Sequence, residues 1–336
     1  MEYNILDAEN PEAASLLKFG RPVGGKKGSQ VVKIMTERGL AVNSLLTRDE
    51  WVEVDTRILT AARPLLRMVN DFRANNMVHS LGSAGSLVSR YYTSSEITAA
   101  TINMSGRGSN RDLPDVIGND IPVPIIWKDF EIDWRALAAS RRSGDGLDTT
   151  TMTEAIQVVA EGVENLILGL ATVNAFNGKA VYGLLNHPNR NTGSATGDWG
   201  TIANVTTTVA NMVSAAMADY HYGPYMVYAS TNQYNEATLA YYTDGSGETP
   251  RDRVLRMPQI RDLVLAPYLT DGTILLVQMD SNVADWAEPR DMAGVQIREW
   301  TTNDGMANGF KVFVMGAPRV KARQDGKSGI VVFTGA

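Results

Sequence analysis

The chain contains no cysteine. That excludes disulfides, iron–sulfur clusters, thiolate-ligated zinc and cysteine nucleophiles. Imidazoles are nearly as scarce: His79, His187 and His221 are scattered, with no two at metal-ligand spacing. Long apolar runs are missing too. The longest, 166–173, is interrupted by Gly169 and Thr172 and is far too short to span a bilayer. The opening residues, MEYNILDAENPE, are acidic and lack the cationic-then-apolar order of a signal peptide. A soluble chain with no cleaved leader and no membrane partner is expected. Positive charge is not in excess: 31 basic against 37 acidic residues give −6, and no global pull toward nucleic acid. With 336 residues there is room for one large domain or two medium ones.

Residues 1–44 differ from the rest of the chain. Glu2, Asp7, Glu9 and Glu12 come first, then Lys18, Arg21, Lys26, Lys27 and Lys33 around a glycine-rich stretch. Such a polar segment buries little apolar area by itself. It is either an extended tail or an arm ordered by lying across a neighbouring subunit. At Thr47, with Glu50 three residues on, a capping box predicts a helix. Its apolar stripe runs from Trp51 through Leu59 to Val69, and Pro64 should kink or divide it. A second helix is predicted from about Thr151, capped to Glu154, through Ile156, Val159, Val163 and Ile167 to Val173. A third is predicted over 206–220. Between the first two lies a segment without helical periodicity, 87–127, with strand-like pieces at 87–93, 97–104 and 121–127 around a polar stretch. Extended arms joined by a polar tip read as a β-hairpin excursion. About forty residues is too long for a casual turn, because long loops in compact domains are usually functional. The last third alternates turns with short strands at 225–229, 262–266, 273–278, 294–300, 309–315 and 329–333. The fold class expected is α+β.

Candidate chemistry is thin. Residues 20–27 nearly spell a phosphate-binding loop, but Lys27 stands where a magnesium-binding hydroxyl is required, and no apolar strand precedes it. The glycine pairs at 106/108 and 245/247 lack a strand-to-helix context. Arg141, Arg142, Asp145 and Asp148 read as a solvated linker before the second helix. Asp112, Asp115 and Asp120 match no calcium loop, and Arg107 and Arg111 sit among them, so they read as tip charges that pair with another chain. His187, followed by Pro188, reads as a turn histidine. No catalytic residue, cofactor or metal site is expected.

The order of the parts carries more than any single residue. The capped helix at 45–59, LLTRDEWVEVDTRIL, is followed by the hairpin and then by 121–137, IPVPIIWKDFEIDWRAL. A spine helix comes next, then 181–188, VYGLLNHP; 223–229, GPYMVYA; 258–267, PQIRDLVLAP; and the closing FKVFV at 310–314 with RVKA at 319–322. This collinear series, from residue 45 to the end, resembles the encapsulin (linocin-like) branch of the HK97-fold shell proteins, which includes many major capsid proteins of tailed phages.

The resemblance implies an amino-terminal arm at 1–44 and a peripheral (P) domain from 45–87, 127–191 and 296–336. It also implies an extended E-loop at 88–126 and an axial (A) domain at 192–295. It implies many copies in hexamers and pentamers forming an icosahedral virion capsid assembled in the host cytoplasm. That shell encloses DNA without sequence-specific binding, with scaffold, portal and decoration proteins as further possible partners. Arg107, Arg111, Asp112 and Asp115 are the expected intersubunit contacts of the E-loop. The alternative within the same fold is a nanocompartment shell around a cargo enzyme; an enzyme using His187 or the 145–148 region is a third. The extra 44 residues and the long hairpin favour the phage subunit over compact encapsulins. Some HK97-fold shells join a hairpin lysine to a neighbouring asparagine. Residues 87–127 contain no lysine, and the arginines there are poor nucleophiles. A shell without covalent cross-links is expected.

Overall fold

The computed structural model describes residues 66–100, 102, 113–133, 135, 150–171, 178–243, 245–301 and 307–336. The arm, the helix expected from Thr47, the kink at Pro64 and the 141–148 linker lie outside these. In chain order the described elements are α1 (Arg67–Ala74), β1 (Val78–Leu81), β2 (Val88–Ser94), β3 (Val116–Pro122), β4 (Ile125–Asp133) and α2 (Thr150–Leu168). Next come β5 (Asn191–Ser194), α3 (Ile202–Ala218), β6 (Tyr225–Ala229), α4 (Thr231–Leu239) and α5 (Pro250–Leu255). The chain ends with β7 (Ile260–Leu265), β8 (Thr273–Gln278), β9 (Ala284–Pro289), β10 (Gln296–Thr301), β11 (Ala307–Met315), β12 (Ala317–Val320) and β13 (Ile330–Thr334). They fall into two compact units. One takes its described residues from Ile126–Glu161 and Val295–Val314; the other takes Leu66–Ile125, Gly162–Gly294 and Met315–Ala336.

In the first unit, β10, β11 and β4 form a three-stranded sheet in that order. Strand alternation sorts its faces. Phe130 stacks on Phe310 at 5.2 Å between centroids, and Val312 and Val314 are buried with them. Lys311, pointing the other way, lies 4.1 Å over the Trp127 ring and 3.5 Å from the Asp129 carboxylate. Helix α2 begins in this unit. Its buried residues Met152, Ala155, Ile156, Val159, Ala160 and Val163 recur at three- and four-residue steps, the spacing of one face.

The second unit is built on a five-stranded sheet in the order β5-β13-β8-β6-β7. Its central strand β8 is buried at every position, as a strand covered on both faces must be. Helix α3 lays Val205, Val209, Met212 and Ala216 into one core with Tyr225, Val227, Leu276 and Val331. A three-stranded sheet, β1-β9-β12, and the two-stranded β2–β3 hairpin complete the unit.

The end of α2 explains the 181–188 stretch. Gly169 ends the helix at φ +85°, a conformation that favours glycine. The Asn186 amide donates to the Gly169 carbonyl at 3.0 Å, and Leu184 and Leu185 N–H groups donate to the Ile167 and Leu168 carbonyls at 2.9 Å each. These bonds satisfy carbonyls the helix leaves open. Gly183 is required by proximity, because a Cβ there would lie 2.2 Å from the Gly169 nitrogen. Helix and capping loop are one device.

Several expectations shift. The second helix begins at Thr150, so Thr151 lies inside the first turn instead of capping it, and the helix stops at Leu168, before Val173. The third starts four residues early, at Ile202. Residues 97–100 form no strand. The strand expected at 121–127 is divided: Pro122 ends β3, and β4 starts at Ile125 in another sheet. Pro122 and Pro124 have no N–H for a continuing ladder, which is the physical reason for the break. The closing section 296–336 spreads its strands over three sheets. Strands β10 and β11 pair in the first unit, β12 pairs with β9, and β13 enters the five-stranded sheet beside β8.

Candidate functional site

The hairpin expected from the sequence forms. Strands β2 and β3 pair antiparallel over seven positions, from Val88↔Pro122 to Ser94↔Val116. Alternation places Val88, Arg90, Tyr92 and Ser94 on one face, and Ser89, Tyr91 and Thr93 on the other. On the first face Arg90 sits directly opposite Asp120, and its guanidinium forks onto the carboxylate at 2.5 and 2.9 Å. The arginine holds the Asp120 carboxyl below its ordinary value. Asp120 is therefore satisfied inside its own hairpin, which corrects the expectation that it pairs with another chain.

The second face is pinned at the root by the closing strand β12. The Tyr91 hydroxyl donates to the Val320 carbonyl at 2.9 Å. Ser89 Oγ receives a bond from Arg319 Nη1 at 3.0 Å. Arg319 is almost fully buried, and its other two nitrogens grip both oxygens of Asp285 on β9 at 2.6 and 2.5 Å. Lys321 adds a contact to Asp285 at 2.7 Å. A buried ion pair is tolerated only with such complete hydrogen bonding. Further out, the Gln324 amide donates to the Thr93 carbonyl of β2 at 3.0 Å and to the Asp115 carbonyl just before β3 at 3.2 Å. Glu96 is held at 3.3 Å by both Arg323 and Lys327.

The root is satisfied and the outer half is not. Tyr92, Ile97, Leu113 and Val116 are all exposed, Tyr92 by 69% and Leu113 by 94%. Asp115, one expected contact residue, is exposed where the Ser95 N–H donates to its carbonyl and its own N–H donates to the Ser95 hydroxyl, each at 2.9 Å. Arg107, Arg111 and Asp112 lie outside the described residues. The anchors Arg319, Asp285 and Ser89 were not singled out from the sequence. Arg319 and Asp285 are 34 positions apart, and nothing local marks them as partners.

Among the described residues, no group of three acidic or histidine side chains is placed to hold a metal. His187 sits in a turn, as expected. Burial lowers its pKa to about 4, so the ring is neutral, and its Nδ1 accepts from the Asn189 N–H at 3.2 Å. No helix among the described residues is long and apolar enough to cross a membrane.

A sequence family described as a family of unknown function, DUF6260, matches residues 40–333. The chain belongs to this family. No curated protein matches it. Among solved structures, the capsid of myophage XM1 aligns with a TM-score of 0.59 at 12% identity, covering 77% of this chain and 89% of that one. A virus-like particle from Pyrococcus furiosus aligns at 0.54 and 14% identity, covering 83% of this chain and 98% of that one. The capsid of an empty GTA particle aligns at 0.52 and 13% identity, covering 78% and 89%. The likeness is one of fold, and the DUF6260 chain has the α+β HK97-type shell-protein fold.

Proposed function

We propose that this chain is the major capsid protein of a tailed bacteriophage, closing in many copies into an icosahedral shell around DNA. The observation that carries this reading is the hairpin: anchored at its root by buried polar bonds, it leaves large apolar side chains in water along its outer half. Two-stranded ribbons are marginal alone, and apolar residues in such number on one ribbon call for a covering surface. In a shell of HK97-type subunits a neighbouring copy supplies that surface. Burial then stabilises the contact by roughly 25 cal/mol per Å² of apolar area, whereas exposed ion pairs contribute only about 0–1 kcal/mol each. Asp115, with Arg107, Arg111 and Asp112, supplies rim charges at that contact. The role is structural. Residues 1–44 act as an intersubunit arm, and the hairpin as the E-loop. The five-stranded sheet with α3 acts as the A domain, which then includes β13 as well as the 192–295 segment. Scaffold, portal and decoration proteins are the partners this role calls for, with assembly in the host cytoplasm.

A second reading, a nanocompartment around a cargo enzyme, draws on the fold likeness to the Pyrococcus furiosus particle. Electron microscopy of particles purified from the natural source separates the two. Particles packed with nuclease-protected DNA support the capsid; particles holding a folded enzyme and no DNA overturn it.

A further inference from the structure

Beneath the second face of the hairpin lies a cleft of about 550 Å³, within the roughly 300–1,000 Å³ of small-molecule sites. Three segments of one unit build it: the hairpin, the 178–189 loop after α2, and the chain from Val320 to Gln324. Its walls are fixed before any ligand arrives. The hairpin root is held by Tyr91 and by the bond from Ser89 to the buried Arg319–Asp285 pair. The loop is clamped to α2 through Asn186, which accepts the Gly183 N–H at 2.7 Å and donates to the Gly169 carbonyl. From this loop comes Tyr182, a ring 44% exposed yet held in position. It meets His187 edge-on, with centroids 5.9 Å apart and an 81° interplanar angle, and His187 is in turn held by the Asn189 N–H. A fixed aromatic ring in water beside a cleft is a preorganised contact for a ligand.

The chemistry of the lining selects the class of ligand. Each charge already faces an opposite one: Asp120 is gripped by Arg90 and also feels Lys179, and Arg323 lies 3.3 Å from Glu96. An ion therefore finds no unanswered charge to recognise it. Side-chain amides with unused capacity are present instead. Asn119 donates one amide hydrogen to Thr93 at 3.1 Å and keeps the other, together with its carbonyl. Gln324 spends both amide hydrogens on the Thr93 and Asp115 carbonyls, which leaves its own oxygen as an acceptor. The Asp120 carboxylate retains lone pairs beyond the Arg90 fork. A ligand suited to this mixture donates and accepts through several uncharged groups and carries an apolar face for the tyrosine ring. The hydroxyls of a sugar do the first, and the C–H face of its ring does the second. A peptide would be read through a strand edge, whereas these polar groups are side-chain amides and a carboxylate. We propose that the cleft binds a short neutral saccharide, stacked on Tyr182 and hydrogen-bonded by Asn119, Asp120 and Gln324.

The site lies within one unit of one copy, so its test needs no assembly and does not depend on the shell function. The purified full chain is mixed in turn with maltotriose, mannotriose and chitotriose, and saturation-transfer NMR reads which ligand protons approach the protein. Transfer to at least one of these sugars is expected, strongest on the C–H protons of one ring face. Tyr182→Ala should weaken its binding about tenfold, while Tyr182→Phe, which keeps the ring, should retain it. Asn119→Ala should weaken it severalfold, with amide exchange of the α3 core unchanged in every variant. Absence of transfer to all of the neutral sugars would overturn the proposal, and so would binding that survives Tyr182→Ala. Tighter binding of the acidic sugar trigalacturonate, or binding of an alanine-rich peptide where the sugars fail, would overturn it as well.

Discussion

Replacing Arg319 with leucine isolates what holds the hairpin to its body. The guanidinium makes three bonds at once: two to the Asp285 carboxylate, at 2.6 and 2.5 Å, and one to Ser89 at 3.0 Å. Both charged side chains are nearly fully buried, at 3% and 4% exposure. Removing one partner of such a pair typically costs about 3–5 kcal/mol, because the other charge remains in a poor solvent. Lys321, still 2.7 Å from Asp285, offsets part of that, which places the expected loss near 3 kcal/mol. At 1.4 kcal/mol per tenfold, the opening equilibrium at the hairpin root rises roughly 100-fold. Amide hydrogen exchange of the unassembled chain reads this directly, in β2 and in the β9–β12 pairing, with the α3 core as an internal reference. Arg319→Lys keeps the charge but loses the fork, and should fall between the two. The paired change Arg319→Leu with Asp285→Leu should recover part of the loss, since no buried carboxylate is stranded and Lys321, left without Asp285, keeps its bond to the Ser281 carbonyl at 2.7 Å. If Arg319→Leu leaves exchange at the root within about threefold of the parent, the root is not held by this pair and the reasoning fails.

Three further outcomes are expected. Glu164 accepts the Met68 N–H at 2.9 Å from the start of α1, and burial pushes its pKa up to about 8 from an ordinary 4.5. The folded state then keeps a proton that the unfolded state has lost, so stability should fall as pH rises from about 4.5 to 8. Glu164→Gln should flatten that slope in denaturation midpoints at pH 5 and 8.5, and an equal slope in both proteins would contradict the assignment. Gly183→Ala places a Cβ 2.2 Å from the Gly169 nitrogen and should lower the melting temperature by several degrees, consistent with about 1–3 kcal/mol for forced overpacking; an unchanged midpoint would show that the capping loop yields easily. Mature particles boiled in detergent should run as one band near 36.5 kDa, because the chain has no cysteine and its 87–127 segment no lysine; a ladder of covalent multimers would show other cross-linking chemistry.

Much of the fold was legible because it follows local rules. Strands β6 and β8 fall where the sequence predicts them, as short apolar runs bounded by turn signals. Helix α3 is legible from its periodicity, with its start four residues earlier and its end two residues earlier than expected. Strand β9 was not foreseen. Its sequence, ADWAEP, carries two carboxylates yet is buried throughout. Asp285 is satisfied by Arg319, and Glu288 by Arg73 at 2.7 Å and the Trp286 ring N–H at 3.2 Å. Partners this far apart in the chain make a polar strand viable inside, and no periodicity reports them. Helix α5 was missed for a different reason. It has a complete capping box, Thr249 with Asp252, and Pro250 at its first position, but six residues give no periodicity to read. At the site, the hairpin was readable from its length and alternation, and its anchors were not.

The central claim is that this chain builds closed shells through its exposed hairpin. Analytical ultracentrifugation of the purified full chain, alone and coexpressed with a candidate scaffold, tests it most directly. The account predicts large, uniform particles that become small species when Tyr92, Leu113 and Val116 are changed to serine. Only small species from the parent chain, with scaffold and without, would contradict it.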